Sequence, residues 1–152
     1  MLTLSKHYPK ASISTDNTVS NTTLSLTLTF ELRQKARLKT QLDNGQDVGL
    51  FLPRGIILRS GDMVQAETGE TVRIIAADEA VSTLKSDDPL LLSRCCYHLG
   101  NRHVPIEIQT TFTRYLQDHV LDKMVVAFGV DLSHELVPFE PESGAYHSSH
   151  AH

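Results

Sequence analysis

Residues 87–129 run DDPLLLSRCCYHLGNRHVPIEIQTTFTRYLQDHVLDKMVVAFG, two helix signatures separated by two short strand-like segments. Asp87 or Asp88 supplies an N-cap, and Pro89 fits the first turn, where an N–H would have no helical partner anyway. Leu91, Leu92, Cys95, Cys96 and Leu99 follow at helical spacing, and Gly100-Asn101 predicts the stop. Val104 to Gln109 and Phe112 to Tyr115 read as strands joined by a tight turn. Asp118 then caps a second helix, with Val120, Leu121, Met124, Val125 and Phe128 as its apolar set and Gly129 as its end. A strand at about residues 72–84 before this block and another over Val130 to Phe139 complete the order βαββαβ, the ferredoxin-like arrangement.

Upstream the period changes from helical to twofold. Leu24, Leu26, Leu28 and Phe30 alternate with polar residues within Thr22 to Phe30, and Arg37 to Leu42 alternates as well. Asp43-Asn44-Gly45 supplies turn chemistry before Val48 to Leu52, which predicts a β-hairpin. Ile56 to Leu58 and Thr71 to Ala76 read as further short strands, and nothing before Ala76 carries a helical period. The fold class expected is therefore α+β: a small all-β domain over 1–75, a ferredoxin-like domain over 76–140 and a flexible, histidine-containing tail over 141–152. The tail is expected to be mobile because it holds almost nothing to bury.

Composition excludes several function classes. A net charge of -4 over 152 residues gives no electrostatic basis for binding nucleic acid or an anionic membrane. No apolar run approaches a membrane span, and Met1 to His7 lacks the apolar core of a secretory signal, so a cytoplasmic location is expected. The two cysteines, Cys95 and Cys96, are adjacent; they suit reduced thiols better than a disulfide framework or a four-sulfur zinc site.

The histidines are more informative. On a wheel of about 100° per residue, His119 falls nearly opposite the apolar centre of the second helix, so it points away from its own core, with Asp122 and Val126 on the same outer face. An outward histidine beside an outward valine suits a two-fold contact at which two His119 imidazoles share one ion; a solvated first-turn histidine is the plainer alternative. His147, His150 and His152 crowd the last six residues, and imidazole suits nickel, zinc and copper; an incidentally histidine-rich end is the alternative there. His98 and His103 flank the end of the first helix and read as structural hydrogen-bonding residues, and Cys95 as a buried, inert thiol. Cys96 and His98 lack a third group to orient them as a nucleophilic pair, and no HExxH or Gly-x-Ser-x-Gly pattern occurs. An enzyme is not expected.

Cys96-Tyr97-His98-Leu99-Gly100-Asn101-Arg102-His103, followed by Asp118-His119-Val120-Leu121-Asp122-Lys123-Met124, resembles the urease accessory protein UreE family. Pro138 to Tyr146, Leu52-Pro53-Arg54-Gly55 and Gly61-Asp62 are similar to further segments of that family, so the resemblance runs from about residue 36 onward. It implies a homodimer that binds nickel and hands it to the complex of urease accessory proteins and urease apoprotein. It implies His119 as the ligand at the dimer interface, with further ligands from His147, His150 or His152. It also implies a β-domain that docks partner proteins or peptides. Many relatives carry a longer, denser histidine tail, so storage capacity here is expected to be small. Residues before about 35 match poorly, and Ser12 to Thr23 reads as a loop or an insertion; His134 is a weaker candidate for a secondary metal. The competing hypothesis is a protein- or peptide-binding assembly factor whose metal binding is incidental.

Overall fold

The computed structural model describes residues 1–12 and 22–144, so the tail histidines and most of the Ser12–Thr23 stretch lie outside the described residues. Strand and helix segments are both present, an α+β chain. It separates into two compact units between Ala77 and Asp78.

The first unit carries strands β1 (Leu2–Tyr8), β2 (Ser25–Leu28), β3 (Arg37–Gln41), β4 (Asp47–Phe51), β5 (Met63–Ala66) and β6 (Thr71–Ala76), with one helical turn, α1 (Phe30–Arg33), between β2 and β3. They form one six-stranded sheet in the order β2-β6-β5-β1-β4-β3. The expected hairpin is β3–β4, antiparallel, and Gly45 turns it at a φ of 89°, where a side chain would be strained. Leu4, Leu26, Leu28, Val48, Leu50, Leu58, Val64, Val72 and Ile74 are buried in the core of this unit. Each such side chain contributes about 1.5–3 kcal/mol by leaving water.

Three details depart from the sequence expectation. β1 is an inner strand, parallel to β4 and antiparallel to β5, and was not among the expected strands. Phe30 does not continue β2; Thr29 accepts the Leu32 N–H and starts α1, so the first unit is not purely β. Ile56 to Leu58 forms no strand. The backbone of Leu58 is taken instead by Arg33: the Leu58 N–H donates to the Arg33 carbonyl at 3.0 Å, and the Leu58 carbonyl accepts from Arg33 Nη1 at 3.1 Å. Arg33 is fully buried, and its Nε also donates to the Leu28 carbonyl at 3.2 Å, so a buried charge is met by carbonyl dipoles.

The second unit runs β7 (Asp78–Lys85), α2 (Pro89–Asn101), β8 (Glu107–Ile108), β9 (Phe112–Leu116), α3 (His119–Ala127) and β10 (Asp131–Pro138). The strand expected at about 72–84 is thus two, β6 ending the first unit and β7 opening the second. The four strands lie in the order β10-β7-β9-β8, each antiparallel to its neighbours. Of the strand expected over Val104 to Gln109, only Glu107–Ile108 pairs. Leu84, Cys95, Leu99, Ile106, Tyr115, Leu121, Val125 and Val130 are the core of this unit.

Asp88 caps α2 with Pro89 behind it, and the helix ends at Asn101, within the expected Gly100-Asn101 stop. The left-handed residue that ends it is His103, at a φ of 57°, its N–H bonded to the Gly100 carbonyl at 2.9 Å. A branched side chain tolerates that conformation poorly. His103→Val is therefore expected to destabilise the second unit by about 1–2 kcal/mol, and His103→Gly not to, in paired urea titrations.

Candidate metal-binding site

The candidate site is built on α3. Asp118 accepts hydrogen bonds from the N–H groups of Val120, at 2.8 Å, and Leu121, at 3.2 Å, which satisfies donors that a helix start leaves unpaired. Leu121 and Val125 are buried, and Met124 and Phe128 pack against the same core. His119, the first helical residue, is exposed, as are Val120 at 57% and Val126 at 53%. The histidine thus stands at the capped start of a short helix, free to meet a ligand from outside, with apolar side chains beside it.

Asp122 departs from the expected outer face. Its Oδ1 accepts from the Tyr115 hydroxyl at 2.6 Å and from the Ser82 hydroxyl at 2.7 Å, and its Oδ2 lies 2.8 Å from His134 Nε2. The reason is the fully buried Tyr115, whose phenol needs an acceptor inside the unit. Asp122 sits close enough to the packed face for its carboxylate to turn inward. Burial pushes the Asp122 carboxyl up, but the hydrogen bonds from Tyr115, Ser82 and His134 together outweigh it and hold the group below its usual range. Burial first, and the Asp122 carboxylate second, push the Tyr115 phenol upward.

Among the described residues, the remaining sequence candidates form no metal-binding group with His119. His134, 54% exposed, is committed to Asp122. His98 makes ring contacts instead of the expected hydrogen bonds, stacked on Phe128 at 5.0 Å between centroids and 23° between planes, with Tyr97 edge-on. Cys95 is buried and its thiol is pushed up by burial, while Cys96 Sγ lies 3.3 Å from Thr113 Oγ1. His147, His150 and His152 lie outside the described residues. Among the described residues no group of three or more His, Cys, Asp or Glu is placed to hold a metal. Among the described residues, His119 belongs to no such group. Sequence reasoning missed Ser82 and Tyr115, which fix the helix through Asp122; they reach it from other strands, and no local spacing points to them.

Comparison with known proteins gives one family over most of the chain. Residues 10–77 match the family model described as the UreE urease accessory protein N-terminal domain, and residues 79–152 match the corresponding C-terminal domain. The urease accessory protein UreE of Escherichia coli O157:H7 is 51% identical over 137 residues, 89% of each chain. That of Alkalilimnicola ehrlichii is 52% identical over 146 residues, covering 96% of this chain and 85% of the relative. That of Vibrio parahaemolyticus is 54% identical over 117 residues, 77% and 74% of the two chains.

Proposed function

This chain belongs to the UreE urease accessory protein family, and from that premise we propose that it binds nickel and delivers it to the urease maturation complex for assembly of the urease metallocentre. The family supports a role in urease maturation, and the chain is an accessory protein, not an enzyme. In this reading it works in the cytoplasm as a homodimer. Two His119 imidazoles face each other across a two-fold axis and share one ion, which His147, His150 or His152 completes. The second unit is read as ferredoxin-like, in keeping with its βαββαβ order and its strand order β10-β7-β9-β8. No helix among the described residues is long and apolar enough to cross a membrane.

The observation that carries the proposal is the exposed His119 at the Asp118-capped start of α3, flanked by exposed Val120 and Val126. Small apolar side chains let two copies approach closely, and an isologous contact duplicates whatever ligand lies near its axis. A site formed between chains and closed by a tail is open to ligand exchange, which delivery requires. Zinc and copper are also chemically acceptable to such imidazoles, so nickel is assigned from the family role and not from ligand type.

The test is calorimetric titration of nickel at pH 8 and pH 5.5, with sedimentation of the same samples. One ion per two chains is expected at pH 8. Imidazoles bind metal only when neutral, and the ordinary imidazole titrates near pH 6.5, so affinity is expected to fall at least tenfold by pH 5.5. Equal affinity at the two pH values would rule out histidine ligation.

A further inference from the structure

We propose that Asp122 is the positioning residue of the nickel site: it does not touch the ion but pins α3 to three strands, and so sets where His119 stands. The inference rests on the assignment of His119 as ligand and deepens it. Its basis is geometric. Ser82 lies on β7, Tyr115 on β9 and His134 on β10, and these are three consecutive strands of the sheet, in the order β10-β7-β9. The three are paired with one another in register, and one carboxylate therefore gathers a hydrogen bond from each, at 2.7, 2.6 and 2.8 Å.

The helix it holds is short. α3 has nine residues, of which only Leu121 and Val125 are buried, so apolar packing fixes its depth but resists rotation and sliding weakly. Directional bonds to three separate strands remove that freedom. His119 precedes Asp122 by three residues, less than one turn, so a shift of the Asp122 anchor is transmitted to it almost undiminished. In a shared site the same error enters twice, once from each chain. With its oxygens committed to the sheet, Asp122 is also unavailable as a ligand despite its closeness in sequence to His119.

The chemistry makes an asymmetric prediction. Tyr115 and Ser82 both bond Oδ1, and an asparagine keeps that oxygen. Its amide nitrogen can also donate to His134 Nε2 in the tautomer that leaves this atom unprotonated. Asp122→Asn should therefore retain nickel affinity within about threefold, whereas Asp122→Ala should lose about tenfold or more, by analogy with groups that orient metal ligands. Stability alone would not produce this pattern. The control is Leu99→Ala, which opens a cavity on α2 in the same core without touching the anchor.

The experiment uses the full-length chain as wild type, Asp122→Asn, Asp122→Ala and Leu99→Ala. Nickel titration, urea unfolding and amide hydrogen exchange of α3 without metal are followed for each. The proposal predicts faster exchange of α3 amides and weakened nickel binding in Asp122→Ala, rescue by Asn, and near-normal affinity in Leu99→Ala despite its lower stability. Wild-type affinity in folded Asp122→Ala overturns it, and so does affinity that tracks stability across all variants. Failure of the underlying assignment looks different: His119→Ala, titrated alongside, would then bind nickel as tightly as wild type, while exchange of α3 still rises in Asp122→Ala.

Discussion

Asp62→Ala is expected to lower the stability of the first unit by about 3–5 kcal/mol, measured by urea unfolding followed through amides of β1 and β5. Asp62 is 3% exposed and joins segments remote in sequence. Its Oδ2 lies 2.8 Å from His7 Nε2 at the end of β1 and accepts the Arg59 N–H at 3.0 Å, while Oδ1 accepts the Lys10 N–H at 2.9 Å. Alanine would leave two backbone donors and an imidazole without their acceptor, at about 1–3 kcal/mol for each group that water cannot reach. Burial pushes the carboxyl up, but the His7 bond, the two backbone bonds and the His7 charge outweigh it and hold it below the ordinary carboxylate value. The sign of the pH effect follows. A depressed carboxylate contributes its full stabilisation above its unfolded pKa, near 4, and loses it as pH falls through the folded value. Wild-type stability should therefore decline below about pH 4, and the variant's acid limb should be shallower. Equal acid limbs would mean that Asp62 is not a principal source of the acid sensitivity.

The same residue shows where the sequence was legible and where it was not. Gly61-Asp62 stands out in the sequence as a family-like pair; that its carboxylate reaches back to His7 and Lys10 was not legible, since those partners are more than fifty residues away. The hairpin at Asp43-Asn44-Gly45 and the caps at Asp88 and Asp118 were local, and the structure has all of them. β1 was missed although Leu2 and Leu4 alternate with polar residues, because its place between β4 and β5 depends on pairings far along the chain. α1 is a single turn, too short to show a 3.6-residue period. At the site, the helical wheel placed His119 outward and the structure exposes it. The wheel failed for Asp122 because it gives the direction of a Cβ, not of a carboxylate drawn inward by a buried phenol.

His119→Ala is expected to reduce nickel affinity by at least about 100-fold while leaving urea unfolding unchanged within about 0.5 kcal/mol. The stability half follows from the structure: the side chain is exposed, and the cap of α3 belongs to Asp118, so alanine removes no packing and no hydrogen bond the helix needs. The affinity half follows from the proposed symmetry. In a homodimer one substitution removes two imidazoles from one ion, and tail histidines alone must then pay the ordering entropy without a fixed partner. A chain truncated after Tyr146 keeps both copies of His119 and loses only the completing ligands, so its affinity should fall less. This ordering, wild type above truncation above His119→Ala, distinguishes a shared interfacial site from a tail that gathers metal unaided. If His119→Ala binds as tightly as wild type and truncation abolishes binding, the interfacial site is gone. The protein is then better read as an assembly factor that docks partners, with metal binding incidental to the tail. The first unit offers a surface for that role: a cavity of about 510 Å³ lined by Met1, Thr3, Lys39, Gly49 and Phe51, with Met1 74% and Phe51 55% exposed. A charge placed there, as in Phe51→Asp, should then impair urease maturation in cells where His119→Ala does not.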